Sequence, residues 1–311
     1  MFPGAKPAVG VLFDSAMRRI DDVLALAMLH AYGGKGQART AAVGVSCPDL
    51  EAAQFCDSLW AFYAGAATCT AAKAMHPPPV GLADGKPAAR LPMLSQPLGK
   101  RGADGQPVYP NTIQSIEDTA EVPTLFRNAL MAQYDQDAVI VLSGPATNLV
   151  QLLDMYGAKD WIMRKVRLLS VTGVGVESDA AAAQKLFAEW PTPIAMAGRE
   201  IGDALPFPGE AIEKDFAWTT ADPVVDAYCA YRPMPYDAPS YAMAAMLYAV
   251  HPNDGYFKLS GSGNPRQLVL DPTQKDRIVG AYVELASAKP VPRKPKHPAE
   301  EEKKNPPLAA H

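Results

Sequence analysis

The chain has 311 residues, a formal net charge of -4 and a 48% share of hydrophobic residues, which is the composition of a globular protein with one large or two modest domains. No Lys/Arg-rich stripe with interleaved aromatic residues occurs, which argues against nucleic-acid binding. No run of eighteen apolar residues occurs either, so no membrane span is expected.

The amino terminus, MFPGAKPAVG, lacks the apolar core of a secretory signal peptide. The sequence as written therefore predicts a cytoplasmic protein, or an exported one if a leader has been removed. The four cysteines form no CxxC pair and have no histidines at zinc-like spacing (Cys47, Cys56, Cys69, Cys229). We expect ordinary buried thiols, and a Cys47–Cys56 disulfide only in an oxidising compartment.

The first predicted strand and helix carry the main functional signal. An apolar run from Val9 to Phe13 ends in Asp14, and Asp21 and Asp22 open an apolar segment with helical spacing. This pattern predicts a buried strand, a loop at its carboxyl end and a helix with two acids in its first turn. Open α/β sheets bind ligands at the carboxyl ends of their strands. Three carboxylates gathered there indicate a cation or a hydroxyl-rich ligand.

Strand-like and helix-like runs alternate along the rest of the chain. Strands are predicted at 40–45, 138–142, 166–171 and 194–197, and helices at 50–64, 122–133, 147–153, 180–188 and 241–250. Residues 65–110 are rich in Pro and Gly and predict a long irregular excursion. The alternation favours a single α/β domain over 9–288, with a mostly parallel, Rossmann-like sheet flanked by helices. Residues 1–8 would form an extension, and the Pro-rich, charged segment 289–311 a disordered tail.

Four segments in order carry a family resemblance: FDSAMRRIDDVLAL from Phe13, VIVLSGPATNLVQLL at 139–153, FAEWPTPIAMAGREIG at 187–202 and SYAMAAMLYAVHPNDGYF at 240–257. Together they resemble the inosine-uridine preferring nucleoside hydrolases, especially a bacterial branch with an extended opening loop. Members hydrolyse the N-glycosidic bond of nucleosides, using a calcium ion that binds the ribose diol and the attacking water. The resemblance implies the same α/β fold, a ribose- or nucleoside-like ligand and a homo-oligomer.

The resemblance also assigns roles to single residues. Asp21 would contact ribose, and Asp22 would ligate calcium together with the backbone carbonyl of Thr147. Glu200 matches the acid that holds the sugar. Asn148 is a further candidate ligand-binding residue, although the pair Thr147-Asn148 could instead cap the helix that follows.

Two positions depart from the family pattern. The aspartate that serves as both general base and metal ligand falls on Ala16, and another calcium-ligating aspartate falls on Ala242. Calcium prefers six to eight oxygen ligands, largely carboxylates and carbonyls. With two of three expected carboxylates replaced, we expect calcium binding and calcium-dependent catalysis to be lost or altered, unless another acid such as Asp49 compensates.

Without a divalent cation, Asp14, Asp21 and Asp22 would repel one another in a partly enclosed cleft. A guanidinium could neutralise them through bidentate pairs. We hypothesise that Arg18 or Arg19 occupies the vacated cation position, which makes all five residues candidates for the ligand-binding site.

Three functions follow as alternatives. The first is an active N-ribosyl hydrolase with a rebuilt site. The second is a non-catalytic module that still binds ribose or a nucleoside. The third is a metal-free hydrolase acting on an anionic sugar, because Arg199 beside Glu200 would suit a phosphate or carboxylate group.

Overall fold

Eight strands form one sheet in the computed structural model, which describes residues 8–291. The strands are β1 (Val9–Ser15), β2 (Ala38–Val45), β3 (Val80–Leu82), β4 (Ala138–Leu142), β5 (Val166–Thr172), β6 (Ile194–Ala197), β7 (Phe257–Ser260) and β8 (Arg266–Leu270). Their order across the sheet is β3-β2-β1-β4-β5-β6-β8-β7. Neighbouring strands are parallel except for β7, which pairs antiparallel with β8.

Helices connect the strands and cover the sheet. In chain order they are α1 (Ile20–Gly34), α2 (Leu50–Ala64), α3 (Cys69–Ala74), α4 (Pro92–Gly99), α5 (Val122–Met131), α6 (Thr147–Leu153), α7 (Ala158–Lys165), α8 (Gly173–Val176), α9 (Ala180–Glu189), α10 (Arg199–Ala204), α11 (Glu210–Lys214), α12 (Pro223–Tyr231), α13 (Tyr241–Val250) and α14 (Lys275–Ala286). Short 3₁₀ turns lie at Ile116–Asp118, Glu177–Asp179 and Pro272–Gln274. None of the helices within residues 8–291 combines the length and apolar character needed to cross a membrane.

The central strands are buried on both faces. Along β1, Val11 and Phe13 point into a core layer shared with α1, α2, α13 and α14. Leu12, between them, points into the opposite layer, which α5, α6, α7 and α9 complete. A strand buried on both faces has a continuous apolar sequence rather than an alternating apolar and polar one. This explains the composition of β1 and β4.

The strand order places a topological switch point between β1 and β4. From β1 the chain continues outward to β2 and β3, and from β4 it continues in the opposite direction to β5 and β6. The connections therefore diverge at the carboxyl ends of β1 and β4, which is the usual ligand position in such sheets. Asp14 ends the apolar part of β1, and Ser143 follows β4 directly.

The predicted α/β domain with a mostly parallel sheet is confirmed. The predicted irregular excursion at 65–110 is wrong in part, since it contains α3, α4 and the edge strand β3. Strand β3 has three residues, so it is too short to show a period in the sequence. Residues 1–7 and 292–311, which hold most of the expected extension and tail, lie outside the described part of the chain.

Candidate functional site

Asp14, Asp21 and Asp22, here called the acid cluster, gather at the switch point. Asp14 lies on β1, and the other two lie in the first turn of α1, where a helix dipole favours negative charge. Their exposed fractions are 0%, 2% and 0%. Buried carboxylates need hydrogen-bond donors or a counter-charge, so the partners of each oxygen decide what the cluster can do.

The guanidinium of Arg19 supplies the counter-charge. Its Nε lies 3.2 Å from Oδ1 of Asp21, and one Nη lies 3.0 Å from Oδ1 of Asp22. The same Nη donates to the backbone carbonyl of Ser143 at 3.0 Å and to its hydroxyl at 2.7 Å. The Arg19 side chain is 24% exposed, so the pairs form near the surface of a buried cluster.

Backbone and hydroxyl groups also bind the carboxylates of Asp21 and Asp22. Ala242, in the first turn of α13, donates its N–H to Oδ2 of Asp21 at 2.7 Å. The hydroxyl of Ser143 donates to Oδ1 of Asp22 at 2.6 Å, and the N–H of Arg19 donates to its Oδ2 at 3.2 Å. Asp21 therefore ties α1 to α13, and Asp22 closes the amino-terminal turn of its own helix.

Asp14 has a different partner. The side-chain amide of Asn148 donates to both carboxylate oxygens at 3.2 Å. Burial raises the pKa of Asp14 to about 7, even though the Asn148 amide acts to lower it. The carboxyl is therefore close to half-protonated at neutral pH, and it is enclosed by protein on every side.

The charges of Arg19 and of the acid pair shift one another's pKa values. Burial raises the pKa of Asp21, and the positive charge of Arg19 opposes this rise. Burial acts to lower the pKa of Arg19, but the charges of Asp22 and Asp21 outweigh it, so the pKa of the guanidinium is raised above its usual value. Arg19 is thus held as a permanent cation against the acid pair.

The loop between β1 and α1 contributes no further acid. Ala16 offers only its backbone carbonyl, which accepts a hydrogen bond from Sγ of Cys47 at 3.1 Å. Met17 adopts a φ of +50°, which is uncommon for a residue with a side chain, and it is fully buried. This turn is followed directly by Arg18 and Arg19.

Arg18 does not reach the acid cluster. One Nη lies 3.3 Å from Oδ2 of Asp49 and donates to the carbonyl of Ala89 at 2.8 Å. Asp49 also accepts the N–H groups of Glu51 and Ala52, so it caps α2. Of the two arginines in the hypothesis, only Arg19 takes a position among the carboxylates.

Two other candidate residues lie away from the acid cluster. The Thr147 hydroxyl is exposed and donates to Asp179 at 2.9 Å, and neither it nor Asn148 caps α6 through its side chain. Glu200 is exposed at the start of α10 and lines a separate groove beside β6. The helix-capping interpretation of Thr147-Asn148 is therefore wrong, because the Thr147 hydroxyl donates to Asp179 and the Asn148 amide donates to Asp14.

The donor set around the acid cluster does not match a calcium ion. Each of its three carboxylates already accepts hydrogen bonds from protein groups, and a guanidinium lies beside two of them. The positions of two expected oxygen ligands carry the methyl groups of Ala16 and Ala242. Within residues 8–291, no group of three or more His, Cys, Asp or Glu side chains is arranged to hold a metal ion.

Solved structures share this architecture, although no protein-family model and no curated protein sequence matches the chain. A plant nucleoside hydrolase, PpNRh1, superposes with a TM-score of 0.63 at 18% identity, over 91% of this chain and 100% of its own. The inosine-uridine preferring nucleoside hydrolase of Bacillus anthracis gives 0.59 at 12% identity, over 90% and 99%. The chain has the nucleoside hydrolase fold.

A protein described as an effector also shares this fold. The type III effector protein XopQ, solved in complex with adenosine diphosphate ribose, superposes with a TM-score of 0.61 at 12% identity, over 91% of this chain and 94% of its own. At such identities the nucleoside hydrolase fold is shared, while the side chains of the site have to be judged by their own chemistry.

Sequence reasoning missed two groups that complete the cluster. Ser143 bridges Arg19 and Asp22, and the backbone N–H of Ala242 binds Asp21. A serine directly after a central strand was a usable signal for the first. No sequence signal exists for the second, because every residue except proline offers the same backbone N–H.

Proposed function

We propose that this protein is a nucleoside hydrolase-like binding module that does not use calcium-dependent hydrolysis. The observation that supports the proposal is the Arg19 guanidinium, which lies 3.2 Å from Asp21 and 3.0 Å from Asp22. A fixed cation of this kind offsets negative charge on the acid pair without a metal ion. It has no open coordination position and therefore cannot lower the pKa of a bound water as a metal ion does.

The ligand class proposed is a ribose- or nucleoside-like molecule. The support is the fold shared with nucleoside hydrolases and with an effector solved with adenosine diphosphate ribose. In this chain the side chains of Arg18 and Arg19 keep exposed fractions of 30% and 24%, and guanidinium N–H groups can donate to hydroxyl oxygens. Binding would then require no metal.

A metal-free hydrolase acting on an anionic sugar is less well supported. Burial raises the pKa of Asp14 to about 7, but this acid is fully buried and bonded by Asn148, so it cannot reach a substrate. Arg199, the residue that would bind the anion, is paired with Glu177 at 2.8 Å. A general acid or base must lie within hydrogen-bond reach of the reacting atom.

Calcium titration calorimetry on chelator-stripped protein tests the proposal. We expect no binding heat up to about 10 mM calcium, far weaker than ordinary protein sites for this ion. The matched comparison is a triple variant, Ala16→Asp, Arg19→Gly and Ala242→Asp, which returns two acids and removes the guanidinium. Calcium binding by this variant alone supports the replacement of the ion by Arg19, while micromolar binding by the wild type refutes it.

Thermal shift with ribose and with inosine tests the binding half of the proposal. A ligand that binds only the native state raises its stability by mass action. We expect the same rise in Tm with and without calcium, and no release of ribose from inosine. A rise that appears only with calcium, or ribose release that a chelator abolishes, would instead assign the chain to the calcium-dependent hydrolases.

A further inference from the structure

A small cavity lies between α11 and α12, away from the acid cluster. It has a volume of about 210 Å³ and is lined by residues of the segment 212–226, and we call it the α11–α12 cavity. Because drug-sized ligands occupy pockets of roughly 300–1,000 Å³, a cavity of this size admits only a small molecule. No residue of the acid cluster lines it.

Asp222 is the buried polar group of this cavity. Its exposed fraction is 3%, and its Oδ1 accepts the N–H of Val224 at 2.8 Å, which caps α12. Its other oxygen, Oδ2, is buried and has no hydrogen-bond partner among the described residues. A buried carboxylate oxygen without a donor has lost its hydration without compensation. This atom is therefore able to accept a hydrogen bond from a molecule that enters the cavity.

Asp222 is largely ionised at neutral pH. Burial raises its pKa to about 6, while the N–H groups of Val224 and Val225 act to lower it. The positive end of the α12 dipole also favours the ionised form. The unpartnered oxygen is thus an anionic acceptor, which binds a cationic donor more strongly than a neutral one.

The other charges of the lining are negative as well. Glu213 and Asp226 contribute carboxylates, and the described residues of the lining include no Lys, Arg or His. The charge of Asp226 is offset by Lys100, whose Nζ lies 2.7 Å from its Oδ2. Glu213 and Asp222 then leave the cavity with a net charge of about -2, which attracts a cation and repels an anion.

The walls beside these acids are apolar. Ile212 and Phe216 are 5% and 2% exposed, and the partly buried Val225 packs with them. Such walls favour a ligand with methylene groups. Within residues 8–291, no group of three or more His, Cys, Asp or Glu side chains is arranged to hold a metal ion. An ammonium group, by contrast, needs hydrogen-bond acceptors rather than a full set of metal ligands.

We propose that the α11–α12 cavity binds a small aliphatic compound with a primary ammonium group. The ammonium donates to Oδ2 of Asp222, and the carbon chain lies against Ile212, Phe216 and Val225. The negative charge of Glu213 adds to the attraction. The site does not depend on the proposed function, because no residue of the acid cluster takes part.

n-Butylammonium chloride is the probe, and n-butanol is its uncharged match of similar size. By calorimetry we expect butylammonium to bind with a Kd of about 1 mM or below, which is within reach of a ligand of about five non-hydrogen atoms. Butanol should bind at least about tenfold more weakly because it carries no charge. No binding of butylammonium up to about 20 mM, or equal binding of butanol, overturns the proposal.

Potassium chloride, titrated alone, tests for an inorganic cation at the same place. Potassium has neither N–H donors nor a carbon chain, so we expect at least about tenfold weaker binding than for butylammonium. Equal affinity for the two cations would show that the cavity selects charge alone, and it would overturn the proposal.

A matched pair of variants locates the binding. Asp222→Asn removes the charge and keeps an oxygen that can cap α12. Asp215→Asn makes the same change at an exposed acid just after α11 that does not line the cavity. We expect at least about tenfold weaker butylammonium binding in the first and wild-type affinity in the second. Equal affinity in both overturns the assignment. If Asp222→Asn does not fold, Glu213→Gln takes its place, with an expected loss of about threefold.

One further variant separates the cavity from the acid cluster. Arg19→Gly, tested in folded protein, should leave butylammonium binding unchanged, and an altered affinity would place the probe at the acid cluster and overturn the proposal. Calcium binding by the wild type would refute the proposed function and leave the butylammonium result standing.

Discussion

The acid cluster and the groove beside β6 contain the same type of ion pair in opposite surroundings. Arg19 faces carboxylates that are 3% and 0% exposed, while Arg199 and its partner Glu177 are 56% and 58% exposed. In the cluster each carboxylate accepts hydrogen bonds from protein donors, whereas the Arg199–Glu177 pair lies on the surface. The comparison indicates that the ion pairs of the cluster contribute to the stability of the fold, whereas the exposed pair contributes little.

The largest expected effect concerns Arg19. Arg19→Met removes the counter-charge of a buried acid pair, and we expect the free energy of unfolding to fall by about 3–5 kcal/mol. The matched control is Arg18→Met, which breaks a partly exposed pair with Asp49 and should cost less than about 1 kcal/mol. Urea denaturation measures both. Equal losses of unfolding free energy in the two variants would show that the more buried pair does not stabilise the fold more than the exposed one.

The pH dependence of stability tests Asp14. Its folded pKa of about 7 lies above its unfolded value near 3.8, so the native state binds more protons between these limits. Stability should therefore be highest at the acidic side of this window and fall as the pH rises towards 7. The contribution of this single group is at most about 4 kcal/mol.

The variant Asp14→Asn cannot titrate at this position, so its Tm should decline less between pH 5 and pH 8 than that of the wild type. Asp21 and Asp222, whose pKa values burial also raises, retain part of the slope in both proteins. An identical pH profile for the wild type and the variant would exclude Asp14 as a buried, titrating acid.

Ser143 provides a smaller and more specific test of the cluster. Ser143→Ala removes the hydroxyl that accepts from Arg19 and donates to Asp22, and we expect a loss of about 1–3 kcal/mol. The control Ser178→Ala removes an exposed hydroxyl that donates to the carbonyl of Gly175 at 2.6 Å, and it should cost under about 1 kcal/mol. An equal loss of stability in the two variants would mean that the burial of a hydroxyl does not determine how much it stabilises the fold.

The smallest expected effect is in the groove. Arg199→Ala breaks an exposed ion pair, and the Tm should stay within about 1 °C of the wild-type value. Differential scanning calorimetry at low and high salt measures this. A substantial loss of stability would show that the rim of the groove supports the fold, which the comparison with Arg19 does not predict.

The sequence predicted more of the fold than of the site. The apolar run of β1, the helix spacing of α1 and the alternation along 138–197 were enough for a mostly parallel α/β sheet. The short strand β3 was missed because three residues carry no period. Strands β7 and β8 and helices α7, α10, α11, α12 and α14 were not predicted either. Local signals weaken as an element becomes shorter, although α14, with twelve residues, shows that length alone does not secure a prediction.

For the candidate site, the sequence determined which charges are present and the tertiary structure decided how they pair. Asp14, Asp21, Asp22, Arg18 and Arg19 were identifiable from their spacing, and so were the alanines in place of two acids. The sequence left the two adjacent arginines equivalent as partners of these acids. Only the folded arrangement, in which Ser143 after β4 and the first turn of α13 meet the start of α1, directs Arg19 to the acid cluster and Arg18 to Asp49. Ion pairing depends on distance and burial, and both belong to the folded chain.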